Sequence, residues 1–155
     1  MLITSLDNER VKKYIKLKEK KYRDQTGEFI VEGSHLVLEA YRAGLIKELI
    51  LEKEAVFPLD IKDIVYLPMD IINKVSTVET PQTVMALCSK KGENESLGDH
   101  ILMVDDVQDP GNLGTIIRSA VAFNIDTVIL SKNTVDLYNP KTIRATQGMF
   151  FHINV

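Results

Sequence analysis

Cysteine is almost missing from this chain: Cys88 is the single one among 155 residues. One thiol makes neither an internal disulfide nor a cysteine-rich zinc site, which excludes a disulfide-stapled miniprotein and points to a reducing compartment. No stretch approaches the ~18 consecutive apolar residues of a membrane span, so no membrane partner is expected. The N-terminus reads Met1-Leu2-Ile3-Thr4 and then turns polar, without the apolar region of a secretory signal. The expected location is the cytoplasm. His35, His100 and His152 lack metal-ligand spacing, and no metal site is expected. Internal repeats and low-complexity tracts are absent as well. What is there is the balance of a soluble globular protein, 45% hydrophobic and 26% charged. The length suffices to bury a core without staples and to form one domain or two small ones.

The net charge of −3 hides an uneven distribution. Residues 9–24 carry eight basic groups, from Arg10 to Arg23, and sum to +5, while the rest of the chain sums to −8. A basic element on an acidic body suits a polyanion such as an RNA backbone. A solvated lysine-rich helix is the other reading. On a helix, Lys13, Lys16 and Lys20 share one side, which leaves Val11, Tyr14 and Leu17 to dock on the body.

Ser5 or Asp7 can cap a helix over 8–22, which Gly27 stops. A strand over 28–32, a helix over 34–43 closed by Gly44, and strands over 46–51 and 64–67 follow. A helix over 70–75 and a strand over 83–89 complete a first domain, 1–90. Residues 91–100 hold one apolar residue, Leu97, and two glycines, and read as a linker. The pattern restarts in 101–155 with strands over 101–104, 127–130 and 150–155 and helices over 113–123 and 140–147. Strand and helix alternate on both sides of the linker, which predicts an α/β architecture with mostly parallel strands. Two helices barely cover both faces of a three-stranded parallel sheet, and the chain reads as cut short.

Chemistry concentrates in 105–120, DDVQDPGNLGTIIRSA. The segment leaves a strand expected to be buried and opens a helix, where open α/β sheets bind ligands. Asn112 reads as the N-cap, and Gly111 and Gly114 allow close backbone approach. Leu113, Ile116, Ile117, Ala120 and Val121 form an apolar face, and Arg118 falls about 140° from Leu113, off that face. The glycines fit neither G-x-G-x-x-G nor a P-loop, which disfavours a nucleotide enzyme of either kind. Asp105 and Asp106 point to opposite sides if the strand reaches them, which makes no metal pair. Asn139 caps and Pro140 starts the next helix. Lys141 and Arg144 on that helix reach toward RNA phosphate or stand as surface charge.

The segments DPGNLGTIIRSA (109–120) and YNPKTIRATQG (138–148) together resemble the SpoU (TrmH-like) family of RNA ribose methyltransferases, of the knotted SPOUT superfamily. FIVEGSHLVLEAYRAG (29–44) and TPQTVMAL (80–87) resemble that family's RNA substrate-binding domain, itself similar to a small ribosomal-protein α/β sandwich. Thr83 stands where the family usually has glycine. The resemblance covers essentially the whole chain. It implies a ribosomal-protein-like sandwich followed by part of a SPOUT-type parallel α/β domain. The implied activity is methyl transfer from S-adenosylmethionine to a ribose 2′-hydroxyl of RNA, either rRNA or tRNA.

Carried over by motif, Asn112 and Arg118 are the catalytic residues. A guanidinium with a pKa above ~12 is a poor proton acceptor. Arg118 is therefore expected to clamp a phosphate and polarise the hydroxyl, with Asn112 orienting the arginine or the ribose. The family's later motifs, which build the knot and hold the donor, would lie beyond Val155. No cofactor-binding residue is expected before it, and the 155-residue chain alone is expected to be inactive. A homodimer is implied for the complete enzyme. The alternative is a non-catalytic RNA-binding module, resting on the basic helix and the ribosomal-protein-like first domain.

Overall fold

Val84, Met85, Ala86, Leu87 and Cys88 are all buried, because they form an interior strand of the first of two units, Met1–Lys90 and Lys91–Val155. The computed structural model describes residues 1–92 and 96–155; residues 93–95 of the expected linker lie outside the described residues. In chain order the first unit holds α1 (Glu9–Lys16), α2 (Lys20–Thr26), β1 (Glu28–Glu32), α3 (Ser34–Arg42), β2 (Ile46–Glu52), β3 (Ile64–Leu67), α4 (Met69–Val75) and β4 (Val84–Ser89). The sheet runs β1-β4-β2-β3, with β4 antiparallel to both neighbours and only β2 and β3 parallel. The expectation of mostly parallel strands therefore fails in this unit. The sense of pairing is set by how the connections cross the sheet, which the apolar pattern of a single strand does not carry.

Alternation along β4 divides the core. Met85 and Leu87 pack with Val11, Tyr14 and Leu17 from the N-terminal segment and with Ile71, Ile72 and Val75 of α4. Helix α3 packs on β1, β2 and β4 and buries Leu36, Val37 and Ala40.

The helix expected over 8–22 is two helices. Leu17 closes α1 and turns into the core, and α2 restarts after Glu19. Arg23 accounts for the break. It is 3% exposed, and its guanidinium donates to the carbonyls of Leu17 (2.9 Å) and Lys18 (2.7 Å). In a continuous helix those carbonyls would accept from the N–H groups four residues on. Lys20 consequently shares no helix with Lys13 and Lys16, which corrects the single basic face expected of them.

In the second unit β5 (Ile101–Val104) and β6 (Thr127–Leu130) pair in parallel, and Asn154 bridges to Thr127. Helices α5 (Pro110–Ala122) and α6 (Pro140–Ala145) pack on each other. β5 is not the buried strand expected. Ile101, Met103 and Ile129 share one exposed face, Met103 at 76%, while Val104 and Val128 on the other face are buried.

The strand expected over 150–155 is a 3-10 turn, Met149–His152, followed by the single bridge at Asn154. Gly148, at φ 85°, turns the chain, and Phe150 is buried with its ring edge-on to Tyr138, centroids 5.5 Å apart. The aromatic run thus fills a helical corner. Lys91, expected in the linker, closes that corner. Its Nζ donates to the carbonyls of Phe150 (2.9 Å) and Ile153 and lies 4.8 Å from the Phe150 ring centroid. Burial lowers its ammonium pKa to about 8. Among the described residues no helix is long and apolar enough to cross a membrane, and no group of His, Cys, Asp and Glu could hold a metal ion.

Candidate active site and nucleic-acid interface

Two Asx-Pro dipeptides, Asp109-Pro110 and Asn139-Pro140, start α5 and α6 at the carboxyl edge of the β5–β6 sheet. Asp109 accepts from the Asn112 N–H (2.8 Å), and Asn139 accepts from the Lys141 N–H (2.9 Å). Each proline fills a first-turn position whose N–H would have no helical acceptor. Asn112 is therefore not the N-cap. Its backbone is the capped group, and its side chain is exposed in the first turn of α5.

The loops leaving the two strands are tied to each other. Asp106, in left-handed backbone at φ 54°, donates its N–H to Ser131 Oγ (3.0 Å). The Val135 N–H donates to the Val107 carbonyl (2.8 Å). Gln108 Nε2 reaches both Asp106 Oδ1 (2.8 Å) and the Asn133 carbonyl (2.6 Å). Asp105 and Asp106 lie past the end of β5, and Gln108 occupies the Asp106 carboxylate. Sequence reasoning passed over Gln108, Ser131 and Asn133; their polarity marks a loop but does not say which loop they bind.

Gly114 is buried where α5 meets α6, and a Cβ there would stand 2.3 Å from that of Ala145. With Leu113, Ile117 and Ala120 also turned inward, Arg118 is exposed. About 9 Å of helical rise separates Arg118 from Asn112. No hydrogen bond joins their side chains among the described residues, so Asn112 does not hold the arginine here. Lys141 is exposed at the start of α6, and Arg144 is half-buried further along it.

The candidate RNA-binding lysines of the first unit differ in what they touch. Lys13 lies 2.7 Å from Glu28, whose side chain is 6% exposed and which Lys47 also binds. Burial opposes the charge on Glu28, but the two ammonium groups outweigh it and hold the carboxyl below its ordinary value. Lys20 binds Asp24 (2.5 Å), which also accepts from Lys90 (2.6 Å). Those two hydrogen bonds bring the Asp24 pKa down to about 2. Lys16 is exposed, with Nζ 5.6 Å from the centroid of the Tyr22 ring. Several charges of the basic segment thus hold the fold, while Lys16 makes no ion pair among the described residues.

Residues 8–86 match the family of MRM3-like substrate binding domains, and residues 99–155 match the SpoU rRNA Methylase family. The chain belongs to the MRM3-like substrate-binding family through its first unit, and its second unit carries a SpoU methylase domain. It is 41% identical over 157 residues to the 23S rRNA (guanosine(2553)-2'-O)-methyltransferase RlmP of Bacillus subtilis, covering 99% of this chain and 63% of that protein. It is 30% identical over 155 residues to the mitochondrial rRNA methyltransferase 3 of Homo sapiens, covering 90% of this chain and 37% of that one. The crystal structure of an AdoMet-bound rRNA methyltransferase from Sinorhizobium meliloti superposes with a TM-score of 0.84 at 31% identity, over 99% of this chain and 63% of that chain. The chain therefore spans less than two thirds of the length of these relatives. Its α/β architecture, with a parallel sheet in the second unit, matches that of RNA methyltransferase structures. Segments 109–120 and 138–148 fall inside the SpoU match, and Lys13, Lys16 and Lys20 inside the substrate-binding match. Thr83 is not at a positive φ, so the position where SpoU proteins usually carry glycine accepts a side chain here.

Proposed function

We propose that this chain serves the transfer of a methyl group from S-adenosylmethionine to a ribose 2′-hydroxyl of RNA, with ribosomal RNA the favoured substrate. The carrying observation is the carboxyl edge of the β5–β6 sheet, where the SpoU-matched helices start and leave Asn112, Arg118 and Lys141 exposed. Arg118 offers a planar, permanently charged, two-point contact to a phosphate, which positions the nucleotide and polarises its 2′-hydroxyl. The Asn112 amide carries both a donor and an acceptor and suits the ribose. Lys141 and Arg144 add charge toward the backbone on either side.

The described residues do not fit the donor. The groove of about 600 Å³ beside β5 is lined mainly by apolar side chains such as Leu102, Met103, Ile116 and Phe123. An adenosyl group needs polar partners for its base and diol, so no residue of this chain is assigned to it. The isolated 155-residue chain is expected to show no donor binding by calorimetry at millimolar ligand; a micromolar dissociation constant would overturn this.

The complete open reading frame, incubated with labelled donor and ribosomal RNA, tests the reading. Label in a ribose that resists alkaline cleavage supports it. RNA binding without transfer favours the non-catalytic module instead. A homodimer is the assembly proposed for the complete protein, as the family resemblance implies, and light scattering checks it. The proposed location is the cytoplasm, in keeping with the free thiol of Cys88, whose pKa burial pushes up.

A further inference from the structure

The break between α1 and α2 does more than end a helix. Held by Arg23, it folds α2 back so that Tyr22 meets the lysine face of α1. The result is a cleft of about 230 Å³ lined by Lys12, Lys13, Lys16, Leu17 and Tyr22 among others. Pockets for drug-sized ligands run to ~300–1,000 Å³, so this one suits a single planar group. Lys12 is paired with Glu9 (3.2 Å) and Lys13 with Glu28 (2.7 Å). Lys16 and Lys21 have no carboxylate partner among the described residues; their Nζ atoms lie 5.6 and 5.9 Å from the centroid of the Tyr22 ring.

We propose that Tyr22 is a stacking platform for one unpaired RNA base, with Lys16 and Lys21 taking the flanking phosphates. An ammonium over an aromatic ring at an exposed site is held weakly, so both lysines can exchange the ring for a phosphate oxygen. Glu9 also lines the cleft but is paired with Lys12, so a nucleotide supplies a flat aromatic face for the ring and anions for Lys16 and Lys21 beside it. An acidic peptide would satisfy the lysines and leave the ring uncovered. The inference rests on the reading that the first unit binds RNA, and it names the residue that grips a base there.

The test uses the 155-residue chain and single-stranded oligoadenylate as the probe. Tyr22→Ala is expected to weaken binding about 5- to 150-fold, the range that base–aromatic stacking supplies. Tyr22→Phe keeps the flat ring and should bind like the wild type. Lys16→Ala should lower the slope of log affinity against log salt by about 0.7, and Tyr22→Ala should leave that slope unchanged. The chain has no tryptophan, so Tyr22→Trp provides a unique fluorophore. Its emission should be quenched by oligoadenylate and not by an abasic strand of equal length. Wild-type affinity in a Tyr22→Ala variant that folds by circular dichroism, or emission indifferent to the base, overturns the platform. If the wild type binds no oligonucleotide at low salt, the RNA reading of the unit fails first and takes the platform with it.

Discussion

The Cβ of Ala145 lies 2.3 Å from the place a Cβ on Gly114 would occupy, and the carbonyl carbon of Ala145 lies 2.7 Å from it. Glycine at this turn of α5 is a packing requirement, since its backbone is ordinary helix. An alanine there gains ~0.5–1 kcal/mol of helix propensity. Overpacking against a neighbour costs ~1–3 kcal/mol, and here the neighbour includes backbone that no rotamer change can move. Gly114→Ala should therefore lower the melting temperature. Ala145→Gly in the same chain should recover part of the loss, because it removes the Cβ but not the carbonyl carbon. A higher melting temperature for Gly114→Ala alone would sink the packing account.

Arg118 rides on the same helix but faces solvent. On the proposed reading, Arg118→Ala in the complete protein should abolish methyl transfer while leaving the melting temperature nearly unchanged. Arg118→Lys should fail as well, because an ammonium cannot reproduce a planar two-point contact. Single-turnover label transfer on ribosomal RNA reads both variants. An alanine variant that keeps most of its activity removes Arg118 from the site.

Local rules read this chain well wherever the deciding partner is a few residues away. Asn139 before Pro140 starts α6, Gly44 follows the end of α3, and the helical period turns Arg118 outward, all legible from the sequence. The rule that placed α6 also applies to Asp109-Pro110, but Asn112 stands close by and competes for the capping role. Only the hydrogen bond from the Asn112 N–H to Asp109 decides between them. Elsewhere the decision is made at a distance. Arg23 looks like one more surface cation until its bond to the Leu17 carbonyl is seen. The Met149–His152 turn depends on Tyr138 and Lys91 around Phe150. Asp106 and Ser131, which join the two loops of the candidate site, are 25 residues apart. Periodicity carries exposure and capping, and it carries no record of such partners.

Lys91 makes one of these distant contacts measurable through pH. Burial lowers its pKa from 10.5 to about 8 in the folded chain. Below about pH 8 it is protonated folded and unfolded alike. Between about 8 and 10.5 the unfolded chain binds a proton that the folded chain has released, so this group makes stability rise with pH across that window. Tyr138, its pKa raised by burial, works in the opposite sense at higher pH, so the informative quantity is a difference. Wild-type melting temperature minus that of Lys91→Met should climb from pH 8 toward 10. Curves that stay parallel would show that Lys91 titrates like a solvated lysine.

Lys13, Lys16 and Lys20 form a uniform basic face only on a continuous helix, and the break after Leu17 separates their fates. Reversing all three to glutamate would not spare the fold, because Lys13 pairs with buried Glu28. Removing one partner of a buried pair costs ~3–5 kcal/mol. Lys47 still binds Glu28 and the Lys13 side chain is 35% exposed, which brings the cost down to about 1–3 kcal/mol. Lys13→Glu also sets a second carboxylate beside Glu28, so it should lower the melting temperature even without RNA. Lys20 pairs with the more exposed Asp24, and pairs of that kind contribute ~0–1 kcal/mol, so Lys20→Glu should be close to neutral for folding. Lys16 holds no carboxylate among the described residues, and Lys16→Glu should keep the melting temperature, weaken oligonucleotide binding and flatten its salt dependence. Thermal melts and salt-titrated binding on the three single variants separate these outcomes. If Lys16→Glu binds RNA as tightly as the wild type, with the same salt slope, the N-terminal helices are a solubilising surface. The RNA must then lie across the Asn112–Arg118 edge alone.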